Sequence, residues 1–105
     1  MYDMTNLTTR YYNVKLKDGK QIDLEPPKLK VLRKISKLAK SVNSTELSEE
    51  DIENLSEAIA LSLSKNKQQI KFTVEYVEDL FDVDEMYDFL NRYFTWVGEI
   101  QSSKN

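Results

Sequence analysis

The apolar residues of this chain change their spacing at Pro26-Pro27, and that change limits what it can fold into. Before the prolines they occupy every second position: Tyr12, Val14 and Leu16, then Ile22 and Leu24, with polar residues between. A period of two puts alternate side chains on one face of a strand, so residues 10–25 read as a β-hairpin. Beyond the prolines the apolar residues recur at three and four, the spacing of one helix face. Proline itself suits the junction, because the N–H it lacks at the first helical position would have no partner in any case. The fold expected is α+β, an N-terminal two-stranded antiparallel hairpin followed by a bundle of about four helices.

The hairpin turn can be derived from phase. A two-residue Asp18-Gly19 loop would set Val14 opposite Asp23 and spoil the apolar face. A three-residue loop, Lys17-Asp18-Gly19 with Gly19 in the left-handed conformation of a bulge, sets Val14 opposite Ile22 and Tyr12 opposite Leu24. The longer loop is the one expected.

Four helices are expected, at about 27–42, 49–65, 74–81 and 83–100. In the first, Val31, Leu32, Ile35, Leu38, Ala39 and Val42 share a face, and Lys30, Arg33, Lys34, Lys37 and Lys40 cluster opposite. The second starts at an N-cap Ser48, with Glu49, Glu50 and Asp51 at the positive end of its dipole and a stripe of Ile52, Leu55, Ile59 and Leu63. Lys65-Asn66-Lys67 suits its end, where Asn tolerates a left-handed residue. The third begins after Thr73. The fourth opens on a capping box of Asp82 with Glu85. The whole length, 1–105, reads as a single domain, with 1–8 and 101–105 as flexible ends.

Composition narrows the function. The chain has no cysteine and no histidine. Most zinc, copper and haem ligand sets are thereby missing, as are the thiol and imidazole that serve as nucleophile and general base near neutral pH. No enzyme activity, cofactor or metal is expected. No apolar run is long enough for a bilayer and the first residues have no basic-then-apolar signal, so a cytoplasmic protein with no membrane contact is expected.

The net charge of −3 conceals two halves of opposite sign. Residues 1–43 carry ten Lys/Arg against four Asp/Glu, and residues 44–105 carry five against fourteen. Complementary helix faces within one domain would explain this, and so would self-association or an oppositely charged partner.

Three features are candidates for function. The basic face of helix 1, Lys30, Arg33, Lys34, Lys37 and Lys40, is a candidate electrostatic contact. Nucleic acid is the runner-up reading for it, weakened by a pI near 5.0 and by the absence of aromatics among the lysines. The acids Glu75, Glu78, Asp79, Asp82, Asp84, Glu85 and Asp88 lie in sequence at helix starts and do not converge from separate elements, and capping and the dipole account for Asp82, Asp84 and Glu85, so a structural role is expected. Helix 4 is apolar over about half its circumference, because Phe89, Trp96 and Ile100 widen the arc of Met86, Leu90, Tyr93 and Val97. Either it is a central helix covered from two sides, or that flank is left for a partner. The first weighs more heavily, and the flank, with Phe89, Tyr93, Trp96 and Ile100, supplies the candidate protein contacts.

The order of hairpin, prolines, basic helix and acid-capped helix, ending in an acidic turn that runs into an aromatic-rich helix over Val77–Trp96, resembles the tail assembly chaperones of long-tailed phages and prophages of Gram-positive bacteria. Tyr12–Leu24 corresponds to the hairpin of that family and Asp82–Trp96 to its C-terminal element. The resemblance implies an α+β fold and a homo-oligomer. It also implies binding to the long helical tape-measure protein, which the chaperone keeps soluble until tail-tube protein subunits replace it.

Overall fold

The computed structural model describes residues 10–40 and 46–102, without the side chains of 100–102. Strands β1 (Tyr12–Lys15) and β2 (Gln21–Leu24) form an antiparallel pair, followed by helices α1 (Leu29–Lys40), α2 (Glu49–Ser64), α3 (Val74–Leu80) and α4 (Val83–Ser102). The α+β architecture expected from the sequence is the one observed.

The hairpin has the longer loop. Tyr12 pairs with Leu24 and Val14 with Ile22, as apolar phase requires. The Leu16 N–H donates to Lys20 O at 2.8 Å and the Gly19 N–H to Leu16 O at 2.9 Å. Gly19 sits at φ +94°, a conformation a Cβ would strain. Two further contacts fix the turn. The Tyr76 hydroxyl donates to Asp18 Oδ2 at 2.6 Å, and Lys20 Nζ meets the same oxygen at 2.9 Å, which docks the loop on α3.

Helix starts follow the local signals. The Ser48 hydroxyl accepts from Asp51 N–H while the Asp51 carboxylate accepts from Ser48 N–H, a reciprocal box at the start of α2. Thr73 caps α3 through Tyr76 N–H, and Asp82 and Glu85 exchange the equivalent pair ahead of α4. Each such cap is worth about 1 kcal/mol.

Three boundaries or roles differ from expectation. α1 begins at Leu29, not Pro27, because the first helical bond runs from Leu32 N–H to Lys28 O and both prolines lie ahead of it. Val42 lies outside the described residues, as do 1–8. Gln101 and Ser102, expected in a polar tail, extend α4. The left-handed residue after α2 is Gln69 at φ 60°, not Asn66.

Asn66 has a different task, from a buried position. Its Nδ2 donates to Leu63 O and Ile70 O, both at 2.7 Å, and its Oδ1 accepts from Ile70 N–H at 2.9 Å. One amide thereby satisfies three backbone groups, one at the end of α2 and two in the loop after it. The same loop covers β2: Glu25 N–H donates to Lys65 O, Lys67 N–H to Asp23 O, and Asp23 N–H to the Gln68 side chain.

α2 is the centre of the molecule, packing on α1, α3, α4 and β2. Leu55, Ala58, Ile59, Ala60 and Leu63 are buried together with Ser56 and Ser62, whose hydroxyls donate back to Ile52 O and Ala58 O at 2.8 Å. Small residues let neighbours approach the helix from several sides, and the back-bonded hydroxyls are satisfied where they lie.

Candidate functional site

The aromatic flank of α4 is core: the reading of a central helix covered from two sides is the one observed, and Phe89, Tyr93 and Trp96 are corrected as candidate protein contacts. Phe89 is 8 % exposed, Trp96 6 % and Tyr93 fully enclosed. Two other segments cover them. Tyr12 of β1 stacks on Trp96 with ring centroids 5.4 Å apart, and Phe81, in the turn before α4, meets Phe89 edge-on at 6.1 Å. Tyr93 lies between, 5.9 Å from Phe89 and 6.0 Å from Trp96. The wide apolar arc of α4 is therefore the mark of a helix packed on two sides. The side chain of Ile100, the fourth residue of the candidate strip, lies outside the described residues.

Burial leaves its own imprint on Tyr93. Loss of water pushes its phenol up to about 12, a rise that the nearby Ser62 hydroxyl opposes. Ser62 nonetheless donates to Ala58 O, and among the described residues no group meets the Tyr93 hydroxyl in hydrogen-bond geometry.

Among the described residues the most exposed large apolar side chain, Leu29, lies on α1. Only Ile35 of this helix is buried, against α2, while Val31, Leu32, Leu38 and Ala39 are half-covered and Leu29 is 62 % exposed. A shallow depression is lined by Leu29, Leu32, Arg33, Ser36, Lys37 and Lys40. The sequence reading had set this helix's apolar and basic faces opposite each other; in the fold the apolar edge stays open beside the cations. Lys30, Arg33, Lys34, Lys37 and Lys40 are all exposed, and the helix carries no carboxylate. Lys34 is paired with Glu57 of α2 at 3.5 Å. Leu29 and Leu32 are the residues the sequence reading missed as surface candidates. A signal existed in the basic composition of the whole helix, which leaves few neighbours able to cover it.

Of the acidic stretch, Asp82 and Glu85 serve the start of α4 and Asp88 pairs with Arg92. The Glu85 carboxylate is held below the usual range by the hydrogen bond it accepts from Asp82 N–H, helped by the ion pair with Lys17. Among the described residues no group of three or more acids could hold a metal ion, and no helix is long and apolar enough to cross a membrane.

Comparison with family models, with curated proteins and with solved structures finds no match for this chain.

Proposed function

We propose that this chain is a non-enzymatic protein-binding module that holds an acidic amphipathic helix of another protein on α1, acting in the cytoplasm as a phage tail assembly chaperone. The observation that carries the reading is Leu29 standing in water beside Leu32, with Arg33, Lys37 and Lys40 around them. An apolar strip draws the greasy face of a helix, and a rim of one sign selects a partner of the other. The family resemblance supplies the partner's identity, the tape-measure protein, and adds self-association and later replacement by tail-tube protein. A chaperone of this kind must release its client, and a narrow, half-open strip with screened surface charges suits reversible binding better than a deep pocket does.

Co-purification with the tape-measure protein of the same locus tests the reading. The wild-type chain is expected to keep that protein in the soluble fraction, while Leu29→Asp and Lys37→Glu lose it without loss of helicity, since both residues are exposed. Failure of the wild type to retain it would refute the reading. A strongly salt-dependent shift with DNA or RNA, abolished by Lys37→Glu, would transfer the basic face to nucleic acid instead.

A further inference from the structure

The two edges of the hairpin are treated differently by the fold. The outer edge of β2 is satisfied by the loop after α2, where Lys67 N–H donates to Asp23 O and Asp23 N–H to the Gln68 side chain. The outer edge of β1 has no strand beside it among the described residues. Leu16 N–H bonds to Lys20 O, so Tyr12, Val14 and Leu16 turn their backbone groups toward β2, and Asn13 and Lys15 turn theirs outward. Beside that edge lies a groove of about 540 Å³, with Leu80, Phe81 and Phe89 in its apolar lining. Open strand groups next to apolar surface are what an extended chain pairs with.

We propose that this edge takes an extended segment of another protein carrying a Lys or Arg, whose cationic head reaches Asp84. Alternation places that side chain. In a strand added to β1, the residues flanking Val14 and Leu16 share their face, the one packed on the bundle, and so look into the groove. Tyr12 lies against Trp96 and Lys17 pairs with Glu85, so β1 runs antiparallel to α4, and the Leu16 end of the groove is the end nearest the start of that helix. The carboxylates gather there: Asp82, Asp84, Glu85 and Asp88 all line the groove. Its cations do not answer all of them. Lys17 pairs with Glu85 and Arg92 with Asp88, while Lys15 projects from the opposite face of the strand. Asp82 and Glu85 hold each other's backbone N–H at the helix start. Asp84 is exposed and has no ion pair among the described residues. A Lys or Arg has an apolar stem and a charged head, which matches an aromatic lining that ends on a carboxylate. A carboxylate at that position would meet repulsion, and an apolar residue would use the lining alone. Strand pairing then supplies affinity for any extended chain, and the cation selects among them. The inference goes beyond the proposed function, and the groove shares no residue with the α1 depression.

Titration with capped peptides of about six residues tests it, each alternating Val and Thr with one Val replaced in turn by Lys, Arg, Glu or Ala. In the free chain the Asn13 and Lys15 amides are expected to exchange freely with solvent, and the Lys and Arg peptides to slow them. These two peptides should bind roughly tenfold more tightly than the Glu peptide. Asp84→Lys should reverse that order. Lys15→Pro removes an N–H with no partner among the described residues, so it should abolish binding with the far-ultraviolet spectrum intact. Should the proline variant fail to fold, the Asp84 exchange decides the matter. Protection of the Asn13 and Lys15 amides in the free chain would show the edge already covered, by residues 1–9 or by a second copy, and would overturn the proposal. So would failure of every peptide to bind, a preference for the Glu peptide, or an order unchanged by Asp84→Lys.

Discussion

Tyr12 lies against Trp96 with the ring planes 21° from parallel, so the first strand of the chain closes over the middle of its last helix. This long-range contact turns a potential docking strip into core. It also joins the hairpin to the bundle, which β2 reaches separately through α2.

Removing the stack should therefore loosen the hairpin. Tyr12→Ala is expected to cost about 2 kcal/mol, from lost packing and the aromatic pair together. Trp96 is the only tryptophan, so its emission reports on this site alone. A red shift under native conditions with a lower urea midpoint is the expected result; unchanged emission would mean that the ring is not what shields Trp96.

Tyr93→Phe should behave in the opposite way. The hydroxyl is buried without a hydrogen-bond partner among the described residues, and deleting it removes a desolvated polar group while keeping the ring. Stability equal to wild type or up to about 1 kcal/mol higher is expected from chemical denaturation. A clear loss would reveal a bond that the hydroxyl makes.

Asn66→Ala should be among the most damaging single changes outside the apolar core. It strips three backbone groups, Leu63 O, Ile70 O and Ile70 N–H, of a buried partner. A loss of about 2–3 kcal/mol is expected. Amide exchange at Ile70, whose N–H the side chain holds, should accelerate as well, and protection kept at Ile70 would count against the role.

The Tyr76–Asp18 hydrogen bond predicts how stability depends on pH at both ends. The Tyr76 hydroxyl and then Lys20 lower the Asp18 carboxyl to about 2, so its contribution is present above its unfolded value near 3.9 and is lost as pH falls toward 2. Burial and the Asp18 charge raise Tyr76 to about 12, so its contribution holds below its unfolded value near 10 and is lost as pH climbs through 12. Tyr76→Phe should flatten both limbs of the stability profile. A variant as pH-sensitive as the wild type would show that other groups set these limbs.

What could be read from the sequence was local. Gly19 and the phase of Val14 and Ile22 specify the turn and the register, because shifting the pairing by one residue would expose the whole apolar face. Ser48, Thr73 and Asp82 announce helix starts, because their short polar side chains reach backbone N–H groups a turn away. The centre of the fold was harder to read. α2 owes its place to Ala58, Ala60, Ser56 and Ser62, which contribute little hydrophobicity but allow close approach; the clue was the uncharged run between Glu57 and Lys65. The candidate surface was misplaced because helical projection measures how wide an apolar arc is and not what covers it. Phe89 and Trp96 are covered by Phe81 and Tyr12, one next to the helix and one far away in sequence, whereas Leu29 stands exposed on a helix whose main packing partner among the described elements is α2.

Backbone amide exchange of the chain, alone and bound to the tape-measure protein, tests most directly where a client docks. Binding is predicted to slow exchange across α1, residues 29–40, and to leave the aromatic half of α4, already shielded in the free chain, unchanged. Protection gained at residues 89–97 with none on α1 would contradict the account.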